Sequence, residues 1–117
     1  MNVVTIELPL EGEYFTTVRL TTGGLCALAG FDVDSTEDFK VCVTESLLIL
    51  KRNGFSFASI EFSVGETLGC EIVGETLSLE KEEGIEDEIS RALLSALLGN
   101  AEFVERDGRV EKIVFEG

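Results

Sequence analysis

The stretch Ser35 to Gly54, STEDFKVCVTESLLILKRNG, constrains this chain more than any other, because its apolar residues keep a helical period long enough to build one side of a core. Phe39, Val43, Leu47 and Leu50 fall on one face. Val41, Glu45, Leu48, Ile49 and Arg52 form the neighbouring stripe. Asp34 or Ser35 can cap the start, and Glu37 and Asp38 complement the positive end of the helix dipole. Glu45 sits on the border of the two stripes. Turned inward among Leu47, Leu48 and Ile49, its carboxylate loses solvation; with the helix rotated slightly, it stays wet.

The flanking segments follow from period and turn chemistry. Val3, Val4, Ile6 and Leu8 make a β-rich opening closed by Pro9, which suits an edge strand or a subunit contact. Phe15, Val18, Thr22, Leu25 and Ala29 then recur at helical steps, so Glu13 to Ala29 reads as an amphipathic helix ending near Gly30. Gly23-Gly24 inside it implies close packing against another backbone or a break. After the Asn53-Gly54 stop, Phe57, Ile60, Phe62 and Val64 lead a strand, and Gly65-Glu66 a turn. Leu68 to Val73 and Thr76 to Leu79 read as one strand interrupted at Gly74, or as two. Lys81 to Asp87 is a short polar connection. Ile85, Ile89, Ala92, Leu93, Ala96 and Leu97 form a helical stripe stopped by Gly99-Asn100, and Asp107-Gly108 joins a final hairpin. This order, with no internal repeat, predicts one α+β domain over residues 1–117, a two-layer sandwich with helices on one face of a mostly antiparallel sheet.

Composition narrows the function. Nine basic residues against 23 acidic ones leave a net charge of −14, which disfavours nucleic acid and anionic membrane as partners and favours a basic protein surface. The opening residues lack a basic region followed by an apolar run, so a cytoplasmic location is expected. Cys26, Cys42 and Cys70 are scattered and the chain has no histidine, which argues against a zinc site and a histidine-based triad. Thiols in apolar patterns of this kind are small buried hydrophobes.

Two stretches resemble a known family. LPLEGEYFTTVRLTTGGLCALAGF and STEDFKVCVTESLLIL are similar to the proline turn, Val/Ile-Arg-Leu helix and glutamate box of the anti-sigma-factor serine kinases, within the histidine-kinase-like (GHKL) ATPase superfamily. The resemblance implies that fold and assigns Glu45 the place of the catalytic base. In the family's box an asparagine four residues on binds magnesium; Ile49 stands there, and a hydrocarbon offers no oxygen to a metal. The Asp-x-Gly-x-Gly turn that reads adenine aligns with Gly74-Glu75-Thr76, without its aspartate. The Gly-x-Gly start of the last helix aligns with Glu88-Ile89-Ser90, where a glutamate adds bulk and like charge beside phosphate. The connection Lys81 to Asp87 is also shorter than the family's nucleotide lid.

The resemblance therefore implies a degenerate member: a regulatory protein-binding module without cofactor, in which Glu45 is a vestigial base and Ile49, Gly74, Glu88 and Ser90 mark the former nucleotide pocket. The alternative is an ATP-dependent serine protein kinase using Mg-ATP with Glu45 as base. A third possibility is a vacated pocket, filled by Ile49 and Leu48 or open to an apolar ligand. By the same resemblance Arg19 is the partner-contacting residue, the partner a sigma factor or an anti-sigma antagonist, and the chain a homodimer through its first strand and helix.

Overall fold

The computed structural model describes residues 2–82 and 84–117. Strand β1 (Asn2–Pro9) leads through a short 3-10 turn at Gly12–Tyr14 into α1 (Phe15–Leu28) and α2 (Val33–Arg52). A hairpin of β2 (Phe55–Val64) and β3 (Leu68–Leu77) follows, then α3 (Glu86–Leu97) and a second hairpin of β4 (Glu102–Arg106) and β5 (Arg109–Glu116). The strands form one sheet in the order β1-β2-β3-β5-β4, with every neighbouring pair antiparallel. The three helices lie on one face, which makes the expected two-layer α+β sandwich.

Helix α2 is the centre of the core. Phe39, Val43, Leu47 and Leu50 are fully buried, as their spacing predicts, and meet Ala58, Ile60 and Phe62 of β2, Cys70 and Ile72 of β3, and Ile113 and Phe115 of β5. Phe39 stacks edge-on against Phe31 and Phe115, with ring centroids 5.7 and 5.2 Å away. Its start differs from expectation. The helix begins at Val33 and the cap is Asp32, whose carboxylate accepts hydrogen bonds from the Ser35 hydroxyl and amide at 2.6 and 2.8 Å. Those bonds hold the Asp32 carboxyl below the usual carboxylate range. Asp34 and Ser35 instead lie within the first turn.

Helix α1 runs through Gly23 and Gly24 without a break. A Cβ on Gly23 would come within 2.9 Å of the Lys40 side chain, so Lys40, not a neighbouring backbone, crowds that position. Gly74 likewise has a packing reason: a Cβ there would lie 2.6 Å from the Phe55 ring, and β3 passes through it as one strand. Asp107 and Gly108 adopt φ of 53° and 75°, the pair of positive values that a two-residue hairpin turn requires. β1 is an edge strand, consistent with Pro9 at its end.

The strand expected around Phe57 to Val64 is present, with one of its aromatics turned outward, and one helical stripe is corrected. Phe57 is 45% exposed, because it alternates out of phase with Ala58, Ile60 and Phe62 and lies on the sheet face away from the helices. Helix α3 is rotated from the stripe that periodicity suggests: Leu94 is its fully buried apolar residue and Leu93 and Leu97 of the stripe are half-buried, while Ile85, Ile89, Ala92 and Ala96 face out. The cause is polar, and it lies at the candidate site. No helix among the described residues is long and apolar enough to cross a membrane.

Candidate functional site

The last turns of α2 bring Glu45, Ile49, Arg52 and Asn53 to the side that faces the start of α3. Helix α3 answers with Asp87 and Ser90, one turn apart on its inner face. The Ser90 hydroxyl donates to Glu45 Oε2 at 2.7 Å and accepts from Arg52 Nη1 at 3.0 Å. The same Arg52 nitrogen donates to Asp87 Oδ1 at 3.0 Å. Asn53, wholly buried, donates from Nδ2 to Asp87 Oδ2 at 2.9 Å and to the Ile49 carbonyl at 2.8 Å, and accepts from the Val110 amide at 3.1 Å. Arg109 closes the far end by donating to the carbonyls of Asn53 and Leu79 at 2.6 and 3.1 Å.

The result is one continuous polar network that joins α2, α3 and β5. No buried side-chain nitrogen or oxygen among the described residues lacks a partner. Such a network costs little only when every member is satisfied, and it favours a single geometry for the helices it joins. This explains the rotation of α3. Asp87 and Ser90 outcompete Ile85 and Ile89 for the inward face, because the half-buried Arg52 would otherwise lose both its acceptors and the buried Asn53 one of its two.

The residues singled out in the sequence fall in distinct places. Glu45 is half-buried and Ile49 has no exposed surface. Ser90 belongs to the network; Glu88 is exposed in the first turn of α3, next to Glu86 and Asp87. Gly74 accommodates the Phe55 ring. Arg19 is half-buried and lines a hollow of about 160 Å³ with Glu37, Lys40, Val41, Thr44 and Glu45. Glu45 thus borders Arg19 on one side and Ser90 on the other. Sequence reasoning placed Arg52 in a stripe and Asn53 at a helix stop, and it left Asp87 and Arg109 without any role. The legible signal was an Arg-Asn pair at a helix end, two side chains rich in N–H donors that call for acceptors from elsewhere in the chain.

Beside the network, a hollow of about 480 Å³ is lined by Arg52, Glu82, Gly84, Glu86 and Asp87, three carboxylates against one guanidinium. Another, of about 430 Å³, lies across the sheet's open face, where Glu61, Glu71, Glu102 and Glu116 gather and Lys112 pairs with Glu71 at 2.6 Å. No group of His, Cys, Asp or Glu among the described residues is arranged to hold a metal ion. The thiols are buried and unpaired. Burial pushes Cys26 up to about 11 and Cys42 up to about 12, the latter helped by Asp38 and Glu45; Cys70 is raised by burial as well. None of the three is a nucleophile near neutrality.

No family model matches the chain. It is similar to the serine-protein kinase RsbW of Listeria monocytogenes and of Listeria innocua, at 33% identity over 52 residues. That stretch is 44% of this chain and spans only 33% of the length of those relatives. The chain is thus a distant and partial match to the RsbW serine-protein kinases, carried on a five-stranded α+β fold compatible with the histidine-kinase-like sandwich.

Proposed function

We propose that this chain is a regulatory protein-binding module of the anti-sigma-factor type that works without binding ATP or transferring phosphate. The observation that carries the reading is the closed network from Glu45 through Ser90, Arg52 and Asp87 to Asn53, in the region where the related fold would need an open phosphate cradle. Magnesium and a triphosphate do not fit these residues. Ile49, one turn beyond Glu45, is a fully buried hydrocarbon. The first turn of α3, where backbone N–H groups would meet phosphate, carries Glu86, Asp87 and Glu88. The reading as an ATP-dependent serine kinase is favoured by the retained Glu45, whose carboxylate does hold a serine hydroxyl. That serine is the chain's own Ser90, 2% exposed, so Glu45 already has a structural partner.

A docking role is supported by the character of α1. Its segment FTTVRLTTGGLCAL has a single charged residue, Arg19, in a chain of net charge −14. Leu20, Gly24, Ala27 and Leu28 are exposed along it and leave an uncharged strip on which two copies can meet without like-charge repulsion. In this reading the chain is a cytoplasmic homodimer through β1 and α1, and Arg19 meets a sigma factor or an anti-sigma antagonist.

The test is a thermal melt with and without Mg-ATP. A ligand that binds the native state at a hundredfold excess over its dissociation constant adds about 2.7 kcal/mol of stability, a shift that is easily seen. The midpoint is expected to stay unchanged, and a clear rise would refute the proposal. Ile49→Asn is the companion variant: gain of nucleotide binding there would locate the loss at that one side chain.

A further inference from the structure

The first two turns of α3 are inside out. They bury Asp87 and Ser90 against α2 and leave Ile85 and Ile89 exposed at 66% and 59%. Ala92 and Ala96, also exposed, extend the line. Steps of four, three and four residues from Ile85 to Ala96 make a heptad-type seam, the pattern by which one helix receives another. It runs along about 16 Å of helix at 1.5 Å per residue. Glu86 and Glu88 flank it, both exposed, and the last turn of α3 carries no basic residue.

The charge on the flanks decides among occupants. A second copy would bring the same carboxylates to the same seam in a chain already at −14. An anionic lipid surface requires free Lys or Arg beside the apolar stripe; here the flanking residues are glutamates, and Arg91, the one basic residue of α3, is already paired with Glu105 and laid over the Phe103 ring. A helix with apolar seam residues and Lys or Arg beside them satisfies both features, since buried contacts supply affinity and opposite flanking charges set the pairing. From this we infer that α3 is a docking surface for a basic amphipathic helix of a partner protein. The surface is separate from Arg19 and α1.

The experiment uses the whole chain and two labelled synthetic helices that share a leucine seam, one flanked by lysines and the other by glutamates, read by fluorescence anisotropy. The lysine-flanked helix is expected to bind, more weakly as salt is raised, and the glutamate-flanked one is expected not to. Ile85→Ser with Ile89→Ser should weaken binding by ~10-fold or more, the scale of losing central anchors, with the thermal midpoint unchanged because both side chains are exposed. Glu86→Lys with Glu88→Lys should reverse the preference between the two helices. Equal binding of both helices would overturn the proposal, as would binding that survives loss of both isoleucines. So would self-association of the chain that the double isoleucine variant abolishes, since a second copy would then be the occupant.

Discussion

Asn53 is the residue at which α2, α3 and β5 are tied together, and Asn53→Ala tests whether that tie holds α3 in place. The change removes three side-chain hydrogen bonds, to the Ile49 carbonyl, to Asp87 and from the Val110 amide. Neutral bonds contribute about 1 kcal/mol each and one to a charged group about 1.5–3, while a buried N–H left unpaired costs a further 1–3 kcal/mol. Relaxation and an entering water return part of this, which leaves an expected loss of about 3 kcal/mol. A chain of 117 residues unfolds with roughly 2.1 cal/mol/K of entropy per residue, near 0.25 kcal/mol/K, so the melting midpoint should fall by about 12 °C. Urea unfolding followed by circular dichroism measures the loss, and amide exchange in α3 should quicken along with it. Asn53→Asp preserves the shape and the acceptor for Val110 but sets a carboxylate against Asp87 and the Ile49 carbonyl. It should cost at least as much as alanine at neutral pH. A loss below about 1 kcal/mol for both variants would refute the view that this node holds α3 in place.

Three other tests bear on the packing and the thiols. Leu94→Ala should cost about 3 kcal/mol because Leu94 is wholly buried, whereas Ile89→Ala should cost under about 0.5 kcal/mol; urea midpoints that rank them the other way would mean α3 is turned differently. A thiol reagent at pH 8 should label none of Cys26, Cys42 and Cys70 until the chain unfolds, so rapid labelling of the native protein would contradict their burial. Stability should also decline as pH rises above 9. The unfolded chain releases its thiol protons near the ordinary 9.0, while the folded chain retains them to about 11 and 12, so the unfolded state is favoured increasingly across that window. A flat stability profile between pH 9 and 11 would count against the raised thiols.

Local pattern carried most of the architecture. Phe39, Val43, Leu47 and Leu50 announce the inner face of α2 because a helix that packs on a sheet must repeat its apolar residues every third or fourth position. The Asp107-Gly108 turn and the edge strand closed by Pro9 are equally local, since backbone conformation and the missing proline N–H act within a few residues. The strand led by Phe57 was legible, but which face Phe57 takes is not set by its being aromatic, and only the phase of Ala58, Ile60 and Phe62 reveals it. That a carboxylate at Glu45 is followed one helical turn later by a hydrocarbon at Ile49 was visible in the chain itself.

What tertiary structure alone decided is the face that α3 turns inward. Periodicity favours Ile85 and Ile89, and no local rule reveals that Asp87 and Ser90 have partners 35 and 38 residues earlier at Arg52. A half-buried guanidinium and a buried amide demand acceptors, and satisfying them outweighs covering two isoleucines. The chain encodes its helices and strands through short-range regularity; the polar network and the exposed seam arise only when distant polar groups are brought within hydrogen-bonding reach.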